Sequence, residues 1–172
     1  CNQRQVPLLF LQNTTGYMVG RDSEIGGIAK NGAKMVTAVA NSKVPKFTVL
    51  VGGSYGAGNY GMCGRGFHPR FLFAWPNSRI ATMAADTAET VLSDIRLAGL
   101  RGAETSNEEI AEIKATIRAQ YEEQSDPYYA TSRLWDDGLI SPLDTRDVLG
   151  LCLALAARQD APETADRIVY RM

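Results

Sequence analysis

The chain has 172 residues, 18 basic and 19 acidic side chains, and a formal net charge of −1. That length favours one domain with a sizeable core, and the balanced charge excludes a globally basic nucleic-acid binder. Apolar residues make up 45% of the chain, yet the longest run, Val148 to Ala157, falls well short of the roughly 20 residues a membrane helix needs.

The chain opens on Cys1 and enters a strand pattern almost at once, at Val6 to Leu11. A start in mid-stride is expected of a piece cut from a longer polypeptide. Pro7 to Leu11 reads as a strand buried on both faces, and Asn13-Thr14-Thr15-Gly16 as the turn that ends it. Ser23 reads as the cap of a helix to about Ser42, with Ile28, Met35, Val36 and Val39 at helical spacing. Pro45 stops it. Phe47 to Val51 is a second buried strand, and Phe71 to Trp75 and Arg79 to Met83 are two more.

Helices dominate the second half. Asp86 with Glu89, and Ser106 with Glu109, have capping-box spacing. The second pair opens a helix with the apolar stripe Ile110, Ile113, Ile117 and Tyr121. Asp126-Pro127 ends it. A short helix to Trp135, a brief strand at Leu139-Ile140 and a helix from about Thr145 to Arg158 follow. Strands alternate with helices, so the class is α/β with a mostly parallel sheet. Cys1, Cys63 and Cys152 are too far apart for a disulfide framework or a zinc site. They point to a reducing compartment, the cytoplasm first. No metal, nucleic-acid or membrane partner is expected.

One local feature is unusual. Of 16 glycines, seven lie between Gly52 and Gly66. Gly52, Ser54 and Gly56 spell G-x-S-x-G after a strand, the context of a nucleophilic serine. The sole histidine, His68, follows with no acid between it and Ser54, so the proton acceptor lacks its usual orienting partner. Gly56, Gly58 and Gly61 spell G-x-G-x-x-G, but the first acid after Gly61 is Asp86, beyond two strand segments. A third reading uses the backbone. Helix-start N–H groups lack intrahelical acceptors and can stabilise an oxyanion without histidine, acid or metal. Tight packing of small residues is the alternative to all three.

The stretch Gly52-Gly53-Ser54-Tyr55-Gly56-Ala57-Gly58-Asn59-Tyr60-Gly61-Met62-Cys63-Gly64-Arg65 resembles the signature of the carboxyltransferase (β) subunit of biotin-dependent acyl-CoA carboxylases. The methylcrotonoyl-CoA and geranyl-CoA carboxylase type is nearest. Leu9 to Gly20, Gly27 to Val36, Pro69-Arg70-Phe71, Trp75-Pro76-Asn77, Trp135 to Ile140, Asp144-Thr145-Arg146 and the tail Tyr170-Arg171-Met172 follow in family order. Ala84-Ala85-Asp86-Thr87-Ala88-Glu89 departs from the branch, which has Gly-Gly-Glu-Gln-Ala-Ala there.

The resemblance implies a crotonase-like (ClpP/crotonase) fold, a ββα superhelix. It implies that residues 1–172 are a C-terminal carboxyltransferase domain without the N-terminal acyl-CoA-binding domain. The implied reaction moves a carboxyl group from carboxybiotin to an acyl-CoA such as 3-methylcrotonyl-CoA, with geranyl-, propionyl- or acetyl-CoA as alternatives. The isolated domain is expected to be inactive. Backbone N–H groups of Ala57 and Gly58 would form the oxyanion hole. Thr14, Thr15, Gly16, Tyr55, Gly56 and Tyr60 would line the cofactor cleft. Partners implied are a hexamer of like subunits and a biotin carboxylase/biotin carrier α subunit, in the bacterial cytoplasm or the mitochondrial matrix. Ala33-Lys34-Met35 resembles part of a biotin attachment motif. It falls in a predicted helix, so the biotin is expected on the separate carrier. A crotonase-type hydratase or hydrolase and a non-catalytic assembly module are the readings from other classes.

Overall fold

The computed structural model describes residues 1–99 and 106–158. The tail motif Tyr170-Arg171-Met172 lies outside the described residues. Four parallel strands form one sheet: β1 (Leu8–Thr14), β2 (Lys46–Tyr55), β3 (Phe71–Ala74) and β4 (Arg79–Ala81). β2 is central. It pairs with β1 on one side, and with β3 and then β4 on the other. Leu139 extends the sheet by a single parallel bridge to Ala74.

The helices are α1 (Arg21–Ile25), α2 (Ile28–Asn41), α3 (Gly56–Gly61), α4 (Ala85–Gly99), α5 (Asn107–Gln124), α6 (Pro127–Ser132) and α7 (Thr145–Ala156). The Phe47↔Phe71 and Val49↔Phe73 register places these four side chains on one face of the sheet. There α7 covers them with Leu149, Cys152 and Ala156. Trp75 Nε1 donates to Thr145 Oγ1 at 2.9 Å and pins the start of α7 to the end of β3. Leu50, Leu72 and Ala74 form a second cluster, joined by Ile80 and Leu139. Asp137 fastens the Trp135–Gly138 loop. Its carboxylate accepts from the Leu72 N–H at 2.7 Å and from both terminal nitrogens of Arg65.

Several local expectations change. β1 is buried on one face only: Leu9 and Leu11 stay about half exposed (49% and 52%). The reason is position. β1 is an edge strand among the described residues, and an apolar cleft of about 300 Å³ separates Leu9 from Leu149 and Leu153 of α7. The helix expected from Ser23 is two helices. Gly27 is left-handed, with φ 84°, and breaks the chain between α1 and α2. Ser23 therefore lies inside α1, which Gly20 precedes without a side-chain cap. Lys34 sits in α2, as the helical pattern requires.

The Ser106–Glu109 capping box forms with both bonds present. Asp86 and Glu89 do not make one, because α4 already begins at Ala85. Both acids grip Arg118 of α5 instead, at 2.6 Å each, and tie the two helices together. These bonds, that to Glu89 first, push the Arg118 guanidinium pKa further up. β2 runs four residues further than expected, through Gly52, Gly53, Ser54 and Tyr55, so the glycine cluster begins inside the sheet.

Candidate active site at the strand ends

In open parallel α/β sheets, ligands bind beyond the carboxyl ends of the strands. Here the ends of β1, β2 and β4 converge. Tyr55 ends β2, and Gly56 turns the chain into α3 with φ 55°, a conformation that favours glycine. A Cβ on Gly56 would stand 3.1 Å from the Thr82 carbonyl, just past β4. A Cβ on Gly58 would stand 2.9 Å from Thr14 Oγ1 and 3.0 Å from Gly16 Cα. The turn after β1 therefore lies directly against the first turn of α3. Thr14 Oγ1 accepts from the Gly16 N–H at 3.1 Å and holds that turn in shape.

Five of the eight residues singled out from the sequence meet here: Thr14, Gly16, Tyr55, Gly56 and Gly58. Ala57 is exposed at the rim, and Thr15 is exposed in the turn. Tyr60 lies further along α3 with its ring edge-on to Phe67, 5.7 Å between centroids. No side chain caps α3. Its first N–H groups have no acceptor within the helix, so they can receive an anionic oxygen.

Most of the remaining glycines serve packing. Gly52 leaves room for the Asn13 side chain, whose Oδ1 accepts from the Gly53 N–H at 3.0 Å. That contact fills an irregularity in which Gln12↔Leu50 is followed by Thr14↔Ser54. Gly61 makes way for the Tyr17 hydroxyl, and Gly32 of α2 flanks the same ring. Gly64 makes way for the Asn59 amide. A dinucleotide site would need Gly58 and Gly61 to face phosphates. Thr14, Gly16 and Tyr17 pack against the Cα side of these glycines, where a pyrophosphate would have to come close.

Ser54 is fully buried, and its hydroxyl donates to Gln12 Oε1 at 2.5 Å. A serine nucleophile must meet its substrate, so this serine is not one. His68 is exposed and left-handed, with φ 53°, at the end of the 3-10 turn Arg65–Phe67. Sequence reasoning passed over Gln12 and Asn59, which both bond at this junction. An amide directly after the apolar run Leu8 to Leu11, at a position that alternates with the exposed Leu9 and Leu11, is the available signal for Gln12.

Burial raises the Cys63 thiol pKa against the opposing field of Lys46, and burial also raises that of Cys152. Both are neutral thiols away from the junction. Among the described residues no cluster of three or more His, Cys, Asp or Glu side chains could hold a metal. Among them, too, no helix is long and apolar enough to cross a membrane.

Comparisons with known proteins identify the family. A family model described as the carboxyl transferase domain matches residues 1–168. The chain belongs to that family. It is 61% identical over 159 residues to the biotin-dependent 3-methylcrotonyl-coenzyme A carboxylase beta1 subunit of Mycobacterium tuberculosis, covering 91% of this chain and 30% of that protein. The geranyl-CoA carboxylase beta subunit of P. aeruginosa superposes with a TM-score of 0.85 at 45% identity, covering 100% of this chain and 32% of that one. The transcarboxylase 12S hexamer superposes with a TM-score of 0.79 at 31% identity, covering 98% of this chain and 31% of that one. The fold is thus the crotonase-like α/β fold of carboxyltransferases. The chain spans about three-tenths of the length of these proteins.

Proposed function

We propose that this chain is the C-terminal, biotin-facing part of a carboxyltransferase β subunit, acting on 3-methylcrotonyl-CoA or a close branched acyl-CoA. The observation that carries this reading is the 61% identity to a 3-methylcrotonyl-CoA carboxylase subunit, spread over 91% of the chain. Geranyl-CoA is the second substrate to consider, because the geranyl-CoA carboxylase subunit matches along the whole chain.

Carboxybiotin, borne on a separate carrier subunit, supplies the carboxyl group when it is bound. The task left to this chain is positioning and charge stabilisation. The N–H groups of Ala57 and Gly58 take the oxygen on which negative charge develops. No side chain caps α3 and α3 starts at the strand ends, which supports both donors; Ala57 is in addition exposed at the rim, whereas Gly58 beside it is buried. By the family resemblance, Thr14, Thr15, Gly16, Tyr55, Gly56 and Tyr60 line the neighbouring biotin cleft. No side-chain base or metal is required of this chain.

The acyl-CoA is held mainly by a preceding domain, and the complete site forms between like subunits in a hexamer served by a biotin carboxylase/carrier subunit. The compartment is the cytoplasm in a bacterial host and the mitochondrial matrix in a eukaryotic one. The test is an assay of the full subunit with its carrier partner against branched, short and terpenoid acyl-CoAs. Turnover highest with 3-methylcrotonyl-CoA is expected. No carboxylation of any acyl-CoA would overturn the proposal.

A further inference from the structure

Helix α3 has the sequence Gly-Ala-Gly-Asn-Tyr-Gly, three glycines in six residues and no side-chain cap. Such a segment has little intrinsic tendency to be helical. Something outside the helix must fix where its first N–H groups lie. The hydrogen bonds beneath it supply that restraint.

Gln12 of β1 is fully buried, as is Ser54 of β2. Buried amides and hydroxyls are costly unless paired. Here they pair with each other and with α3. Asn59 Nδ2 donates to Ser54 Oγ at 2.8 Å, and Ser54 Oγ donates to Gln12 Oε1 at 2.5 Å. Gln12 Nε2 donates to the Met62 carbonyl at 2.6 Å and, at 3.4 Å, to the Asn59 carbonyl. The donors and acceptors run in one direction and return to α3, so the ring is closed. Gly64 is small where the Asn59 amide passes, and its N–H donates to the Asn59 carbonyl at 2.8 Å. The ring joins two strands to both the body and the end of α3.

We infer that Gln12, Ser54 and Asn59 are positioning residues for carboxyl transfer, because their closed ring sets where the Ala57 and Gly58 amides lie. The inference rests on the function proposed above. Ser54 thus matters without touching substrate.

The experiment uses the full carboxylase assembled with its carrier, and compares Ser54→Ala with Thr48→Val. Thr48 is equally buried, and its hydroxyl donates to the Cys63 carbonyl, beyond α3, at 2.7 Å. Both variants lose a buried hydroxyl bond, so both should lower Tm. Only Ser54→Ala should lower kcat, by about 10²-fold, with KM for the acyl-CoA changed less than about twofold. Calorimetry with free biotin gives a readout besides turnover: binding should weaken about tenfold in Ser54→Ala and hold in Thr48→Val. Ser54→Cys keeps a weak donor and should fall between wild type and Ser54→Ala, which also serves if the alanine variant folds poorly. Equal activity losses in Ser54→Ala and Thr48→Val, tracking Tm, would overturn the inference, as would normal turnover in Ser54→Ala. If Ala57→Pro turns over normally, the donor assignment itself has failed. If Ala57→Pro is crippled and Ser54→Ala is not, only the positioning role has failed.

Discussion

Replacing Ala57 with proline removes one backbone N–H from the first turn of α3 and adds a ring at an exposed site. No intrahelical hydrogen bond depends on that N–H, and helical φ in a first turn suits proline. The preceding residue is Gly56, which carries no Cβ to meet the ring. Stability should therefore change by no more than about 1 kcal/mol. The loss should appear in the reaction. Removing one oxyanion donor costs about 10²–10³ in kcat, or about 2.7–4 kcal/mol of barrier. The assay is steady-state carboxylation of 3-methylcrotonyl-CoA by the complete enzyme, with Tm and hexamer size measured on the same preparation. Turnover within about threefold of wild type, with Tm unchanged, would refute the assignment of Ala57 as a donor. Gly58→Val is a blunter probe. A Cβ there already stands 2.9 Å from Thr14 Oγ1, so the change displaces the turn after β1 together with any ligand.

Three further outcomes are expected. The Tyr17 hydroxyl is buried with no hydrogen-bond partner among the described residues, so Tyr17→Phe should raise stability by about 1 kcal/mol in urea unfolding. Arg118→Met should lower Tm by loosening α4 from α5, and the difference from wild type should shrink in about 1 M salt, since the Asp86 pair is solvent-exposed and the Glu89 pair partly so. Burial raises the Cys63 and Cys152 pKa values above the 9.0 of a free thiol. The folded state then binds these protons more tightly than the unfolded one. Their contribution is complete below that free-thiol value and is lost as pH rises towards the folded values. The urea midpoint should fall above about pH 9, and less steeply once both cysteines are replaced by alanine. Equal slopes would count against the burial effect.

What the sequence disclosed depended on how local the cause was. The Ser106–Glu109 box and the Asp126-Pro127 stop involve neighbours within three residues, and both formed as expected. The Asp86–Glu89 pair has the same spacing, but its partner is Arg118, some 30 residues away, which no capping rule could reveal. Ser23 looked like a cap until the left-handed Gly27 divided the helix. The glycine cluster was legible as a place where backbone comes close to something. What it comes close to was not, since Asn13 beside Gly52, Thr14 beside Gly58, Tyr17 beside Gly61 and Thr82 beside Gly56 are brought there by tertiary contact. The proposed donor pair and the turn after β1 lie together, whereas the Gln12–Ser54–Asn59 ring emerges only once β1 lies beside β2.

The outward side of β1 has a practical consequence. Its seven residues contain no charge and no proline, Leu9 and Leu11 are half exposed, and β1 is an edge strand among the described residues. Proteins ordinarily blunt such an edge, because its free backbone groups template pairing with another chain. Produced alone, this polypeptide should be adhesive, forming strand-paired aggregates whose amount rises with concentration. Leu9→Lys with Leu11→Glu should keep it dispersed, which turns a problem of handling into a measure of how much cover that edge receives in the assembled enzyme.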